Sequence, residues 1–245
     1  MTKRKYLLAK DKEDSRDRLF KGVFAPIPLP KSVDLRPKMP PIINQGQVGS
    51  CQTCALLALD QYVIGYSFVP SVPFGYYCLH DVMKVDHNED CGGTLRDTIK
   101  TLVTYGACNS EICPNTFDWT QKPSDAAYAD GLAGDDKLHQ YYRLNSEDDI
   151  QQALAQGHGI YIGVEVYESF ESEECIKTGI IPLPKANEKL LGGHALAIVG
   201  YIFMNGKLYY IIRNSWGIEV GDKGYFYMTP EVLAKILVDA WIIVR

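Results

Sequence analysis

Gln45-Gly46-Gln47-Val48-Gly49-Ser50-Cys51, running on into Gln52-Thr53-Cys54-Ala55-Leu56-Leu57-Ala58-Leu59, is the stretch on which the reading of this 245-residue chain turns. A glycine-rich turn there leads directly into good helix formers, which puts Cys51 at a helix start. The positive end of a helix dipole favours an anion, so a thiol at that point is easier to deprotonate. Gln45 supplies a side-chain amide just upstream. Far downstream, His194 opens the apolar, strand-like run Ala195 to Tyr201, and Asn214 follows a second such run, Leu208 to Ile212. A sulfur nucleophile, an imidazole base, an amide to orient that base and a donor for an oxyanion are the parts that acyl transfer through a thiolate requires.

The order Gln45, Cys51, His194, Asn214 resembles that of the papain-like cysteine peptidases. The resemblance implies that Cys51 is the nucleophile, His194 its base, Asn214 the residue that orients the imidazole and Gln45 the oxyanion-hole side chain. It further implies that Trp216, in Asn-Ser-Trp-Gly, shields the His–Asn hydrogen bond, and that Gly92 and Gly93, with Gly193, line the path of an extended substrate. Three features depart from the commonest animal and plant members: Val48 replaces a cysteine, Gln52 replaces an aromatic, and no long inhibitory domain stands ahead of the body. Asp34-Leu35-Arg36-Pro37 and Ile43-Asn44-Gln45-Gly46-Gln47 resemble bacterial and bacteriophage members instead. Without the first cysteine of that motif, the disulfide the family usually makes to a cysteine near the glycine pair is not expected, although Cys91 precedes Gly92.

Patterning independently divides the chain. Thr94 to Tyr105, with Leu95, Ile99, Leu102 and Val103 on one face, and Ser146 to Gln156, with Ser146 as N-cap, read as helices. Ile160 to Val166, Ala195 to Tyr201, Lys207 to Arg213, Gly224 to Met228 and Ala240 to Val244 read as strands. The fold class expected is therefore α+β, a two-lobed papain-like domain over residues 31–245. A helical lobe spans about 48–150, a barrel-like antiparallel lobe about 159–245, and the active site lies in the cleft between. Residues 1–30 read as a charged, then proline-rich extension that adds nothing to the core, with Phe20 to Pro30 lying over the cleft as a short plug.

A net charge of −5 and a pI near 5.6 argue against nucleic-acid or anionic-membrane partners. The partner expected is a peptide or protein substrate of a monomeric enzyme. The N-terminus lacks the apolar run of a secretion signal and no segment has the length of a membrane span, so a cytoplasmic chain with mostly reduced thiols is expected, with non-standard export as the alternative. Cys51 and Cys54 form a C-x-x-C, for which redox or metal chemistry is the rival reading. No second cysteine or histidine pair stands at ligand spacing, so no metal and no cofactor are expected. The reaction expected is peptide-bond hydrolysis through a thioester on Cys51, by an endopeptidase. The alternatives are an acyltransferase or amidase on the same fold, or a binding protein without catalysis.

Overall fold

The apolar run after Cys51 forms a helix buried on every side. In the computed structural model, which describes residues 4–21, 23–133 and 140–245, the elements follow in the order β1 (Val33–Asp34), α1 (Cys51–Ile64), α2 (Val72–Met83), α3 (Leu95–Tyr105), α4 (Asp125–Ala133), β2 (Gln140–Arg143), α5 (Glu147–Ala155), β3 (Ile160–Tyr167), α6 (Glu173–Thr178), β4 (Leu190–Met204), β5 (Lys207–Arg213), β6 (Tyr225–Met228), α7 (Pro230–Ile236) and β7 (Leu237–Val244). Every residue of α1 from Cys51 to Asp60 is buried, the polar Gln52, Thr53 and Asp60 together with the apolar majority. Thr94 caps α3 and Ser146 caps α5, each accepting a backbone N–H three residues on. Val103, expected on the apolar face of α3, is instead 41% exposed.

The strands form one antiparallel sheet in the order β2-β7-β3-β4-β5-β6, with β1 paired to β4. Among the described residues the two ends of this path, β2 and β6, each pair with one named strand and not with each other. The barrel-like lobe expected from the sequence is thus an open sheet, because closure requires the end strands to meet in register. Side chains alternate across it. Ile160, Ile162, Val164, Leu196 and Ile198 enter one core with Ile150 and Leu154 of α5 and Leu233 and Ile236 of α7. Tyr161, Ala195, Ala197 and Val199 enter the other with Leu56 and Leu59 of α1 and Leu95 and Ile99 of α3. Alanines at 195 and 197 let α1 approach β4 closely, and that approach carries Cys51 to Ala195, beside His194 on β4.

Two boundaries shift. β2 pairs with β7 and α5 packs on β3 and β4, so residues 140–155 belong with the sheet rather than with the helices before them. The N-terminal extension, expected to stay outside the core, contributes to it: Phe20 is 3% exposed and stacks on Phe24, which meets Tyr142 edge-on. The expected plug, Phe20 to Pro30, lies on the sheet side, with Gly22 and the basic start at Met1 to Lys3 outside the described residues. Phe20 N–H donates to Arg143 O at 2.9 Å, Gln152 bonds both backbone groups of Ile27, and Tyr201 Oη donates to Pro30 O at 2.8 Å. Aromatic burial against Tyr142 outweighs any gain from covering the cleft. Among the described residues no helix is long and apolar enough to cross a membrane.

Candidate active site

Cys51 is the first residue of α1, and its sulfur accepts the backbone N–H of Ala195 at 3.4 Å, directly beside His194. His194 and Asn214, on β4 and just past β5, are joined by a hydrogen bond of 2.9 Å between Nε2 and Oδ1. Because Oδ1 also accepts Ser215 N–H at 2.7 Å, it is the amide oxygen that faces the ring, and Nε2 carries the proton. Nδ1 is then the lone-pair nitrogen, and it is buried without a hydrogen-bond partner among the described residues. Trp216 stacks on the imidazole with centroids 5.1 Å apart.

Gln45 is held from two sides. Its Nε2 donates to Val48 O at 3.0 Å and its Oε1 accepts from Ser215 Oγ at 2.6 Å, while its backbone N–H donates to Ser215 O. The loop that carries Asn214 and Trp216 thereby also positions the Gln45 amide. Ser215 was not singled out from the sequence, where a serine between two recognised residues carries no signal of its own. A cavity of about 320 Å³ is lined by Gln45, Val48, Tyr76 and Trp119 but by neither Cys51 nor His194. The space over those two is already taken.

Residues 4–9 take it. Leu8 N–H donates to Gly193 O and Ala9 N–H to Gly93 O, both at 3.0 Å, in parallel bridges. Tyr6 meets the His194 and Trp216 rings edge-on, and the Arg4 guanidinium lies 4.2 Å from the Trp216 centroid. The glycine walls make this fit. A Cβ on Gly92, whose φ is +69°, would stand 2.2 Å from Leu7 O, and one on Gly193 would stand 2.2 Å from Leu8 O. Gly92, Gly93 and Gly193, the expected substrate-binding glycines, therefore do line one extended chain, and here it is the protein's own.

This cover sets the electrostatics. Cys51 and His194 are both 0% exposed. Burial pushes the Cys51 thiol up to about 11, against the hydrogen bonds that favour the anion, and holds the His194 imidazole down to about 4. The lowering expected from the helix start is worth only about 0.3–1 kcal/mol and is overridden by the loss of water. The pair stands as neutral thiol and neutral imidazole, with no hydrogen bond between them to satisfy Nδ1. All seven cysteines are free thiols, Cys54 included, whose sulfur lies 4.0 Å from Ser50 Oγ. Among the described residues no cluster of three or more His, Cys, Asp or Glu is placed to hold a metal.

Comparison with known proteins aligns residues 29–239 with the family model described as papain family cysteine protease. An uncharacterised peptidase C1-like protein of Acanthamoeba polyphaga mimivirus is 32% identical over 93% of this chain and 76% of its own length. Cysteine proteinase 1 of Entamoeba histolytica is 28% identical over 84% of this chain, which spans 65% of that relative's length. Xylellain, a cysteine protease from Xylella fastidiosa, superposes with a TM-score of 0.85 at 32% identity over 100% of this chain and 98% of its own.

Proposed function

This chain belongs to the papain family of cysteine proteases, and on that premise we propose that it is an endopeptidase restrained by its own residues 4–9. The reading is carried by one observation: an extended peptide already lies across Cys51, His194 and the glycine walls. From Arg4 over Trp216 to Ala9 beside Gly93 that segment spans the reacting pair, so the cleft accommodates an extended chain on both sides of it. Such passage suits cleavage at internal bonds.

In the open enzyme, His194 Nδ1 takes the Cys51 proton and the thiolate adds to the scissile carbonyl carbon. Gln45 Nε2 and the Cys51 backbone N–H stabilise the oxygen as it becomes negative. Collapse expels the amine, which receives the proton from His194, and leaves a thioester on Cys51. The imidazole then draws a proton from water, hydroxide adds to the thioester, and the acid product departs as the thiol is restored.

The leaving amine belongs to the C-terminal half of a substrate and must reach His194, beside Trp216. A substrate therefore runs from Gly93 towards Trp216. Residues 4–9 run the other way, from Trp216 towards Gly93, and no carbonyl of theirs is presented for attack in the productive sense. Reversal lets the segment fill the cleft without being consumed.

Cys51→Ala and His194→Ala are expected to abolish peptide hydrolysis, and Gln45→Ala to lower kcat by about 10²–10³-fold with folding intact. Kinetics on a peptide library with circular dichroism as the folding control checks this. Turnover by the Cys51→Ala protein would overturn it.

A further inference from the structure

Two carboxylates flank the cleft, and each is engaged by a cation of the inserted segment. On the helical wall, Asp90 receives Lys5 Nζ at 2.7 Å while also accepting Gly49 N–H and Tyr76 Oη–H. Gly49 belongs to the turn that delivers Cys51, so this carboxylate is hydrogen-bonded to the turn that ends at the nucleophile. On the sheet wall, Glu171 ends the turn after β3, next to Phe170, which packs on Trp216. It pairs with Arg4 at 3.4 Å and accepts the Tyr6 hydroxyl, whose ring lies against His194. The Asp90 and Glu171 side chains are only 11% and 30% exposed even though both are acidic.

The backbone path through the cleft is set by glycines that leave room for main chain alone. A second extended chain must follow nearly the same track and set its side chains against the same walls. Departure of residues 4–9 removes both cations and leaves two negative groups around the reacting centre, in partly desolvated surroundings where charge is felt strongly. An acidic peptide would meet repulsion there, and a neutral one would leave the carboxylates without a counter-cation.

Resting on the peptidase reading, we propose that Asp90 and Glu171 are the specificity determinants of this enzyme, and that its substrates are basic polypeptide segments. Asp90 takes a Lys or Arg on the acyl side of the scissile bond, and Glu171 takes one on the leaving-group side. The segment Arg4-Lys5-Tyr6 is held by the same chemistry that selects substrate.

The test compares peptides that differ only in arginine or its neutral isostere citrulline, placed on one or the other side of the cleaved bond. It uses the full chain, both unaltered and carrying Leu8→Asp to free the cleft. Arginine is expected to raise kcat/KM by about ten-fold or more over citrulline on each side. In Glu171→Gln the ratio is expected to fall towards one for leaving-group arginine, and in Asp90→Asn for acyl-side arginine. Glu171→Lys is expected to turn the leaving-group preference towards glutamate. Protection of Cys51 from alkylation by each peptide gives the same comparison without turnover. A ratio near one in the parent protein, or ratios unchanged in both carboxamide variants, would overturn the proposal. Hydrolysis of the citrulline peptides would in that case leave the peptidase reading standing, whereas loss of all hydrolysis would end it.

Discussion

Asp60 shows how one residue's surroundings set its chemistry. It closes the buried part of α1, is 4% exposed and has the Tyr66 hydroxyl as a hydrogen-bond partner at 3.1 Å. Burial pushes its carboxyl up to about 7 from 3.8, against that hydrogen bond. The folded chain therefore keeps a proton that the unfolded chain loses above 3.8. Stability from this group is fullest below that value and declines as the pH rises to about 7. Asp60→Asn, neutral throughout, is expected to match the parent at pH 4 and to exceed it at pH 8 by on the order of 2–4 kcal/mol. Urea melts at the two values check it, and an equal difference at both would refute the assignment. Ser215 makes a second point at this scale: its hydroxyl fixes Gln45, yet only its spatial partner gives it meaning.

Elements are tied across the molecule by residues 11–17. The Asp11 carboxylate accepts Arg96 N–H at the first turn of α3 and Trp241 Nε1–H on β7. Asp17 pairs with Arg96 at 2.6 Å and with Arg143 of β2 at 3.2 Å, and Arg143 reaches Asp239 of β7. Asp17 and Arg96 are each 9% exposed at the side chain, so removing one partner strands a desolvated charge. Asp17→Ala is expected to lower unfolding free energy by about 2–4 kcal/mol, and a double-mutant cycle with Arg96→Ala to show strong coupling. Additive single effects would argue that the pair is incidental. Element legibility followed local pattern. α3, α5 and the central strands carry a period or a cap that the eye can find. α2 carries a cap but no clear period: Ser71 accepts Phe74 N–H and Pro73 lies in the first turn, yet the helix is buried on most sides, with Gly75 placed so that a Cβ would stand 2.8 Å from the Thr53 side chain. A helix buried between α1 and α3 shows no polar face, so amphipathic spacing does not mark it.

For the molecule as a whole, the state of the cleft governs the state of the thiol. Leu8 packs towards Gly163 and Leu95, so Leu8→Asp places an unpaired carboxylate in an apolar seat and favours release of the segment. Release returns water to Cys51 and His194, which lowers the one and raises the other towards the ion pair. The variant is expected to react with iodoacetamide at pH 7 at least about ten-fold faster than the parent, and to hydrolyse peptides faster in parallel. Equal rates in the two proteins would show that residues 4–9 do not restrain the enzyme.

Chemistry was legible in the linear chain because it rests on residue type and local geometry. A thiol after a glycine turn, a histidine and an asparagine at strand ends and an upstream glutamine name the reaction before any coordinate is known. The general α+β plan was legible for the same reason, from periods of 3.6 and 2. Which segment fills the cleft was not: Phe20 to Pro30 looked apolar enough, but Phe20 and Phe24 bury against Tyr142 while Tyr6 and Leu8 fit between the glycine walls. Nor was the direction of the Cys51 shift, where the helix start argued for an acidic thiol and enclosure made a weakly acidic one. Desolvation and charge pairing depend on groups brought together from distant parts of the chain, and only the tertiary structure decides which groups those are.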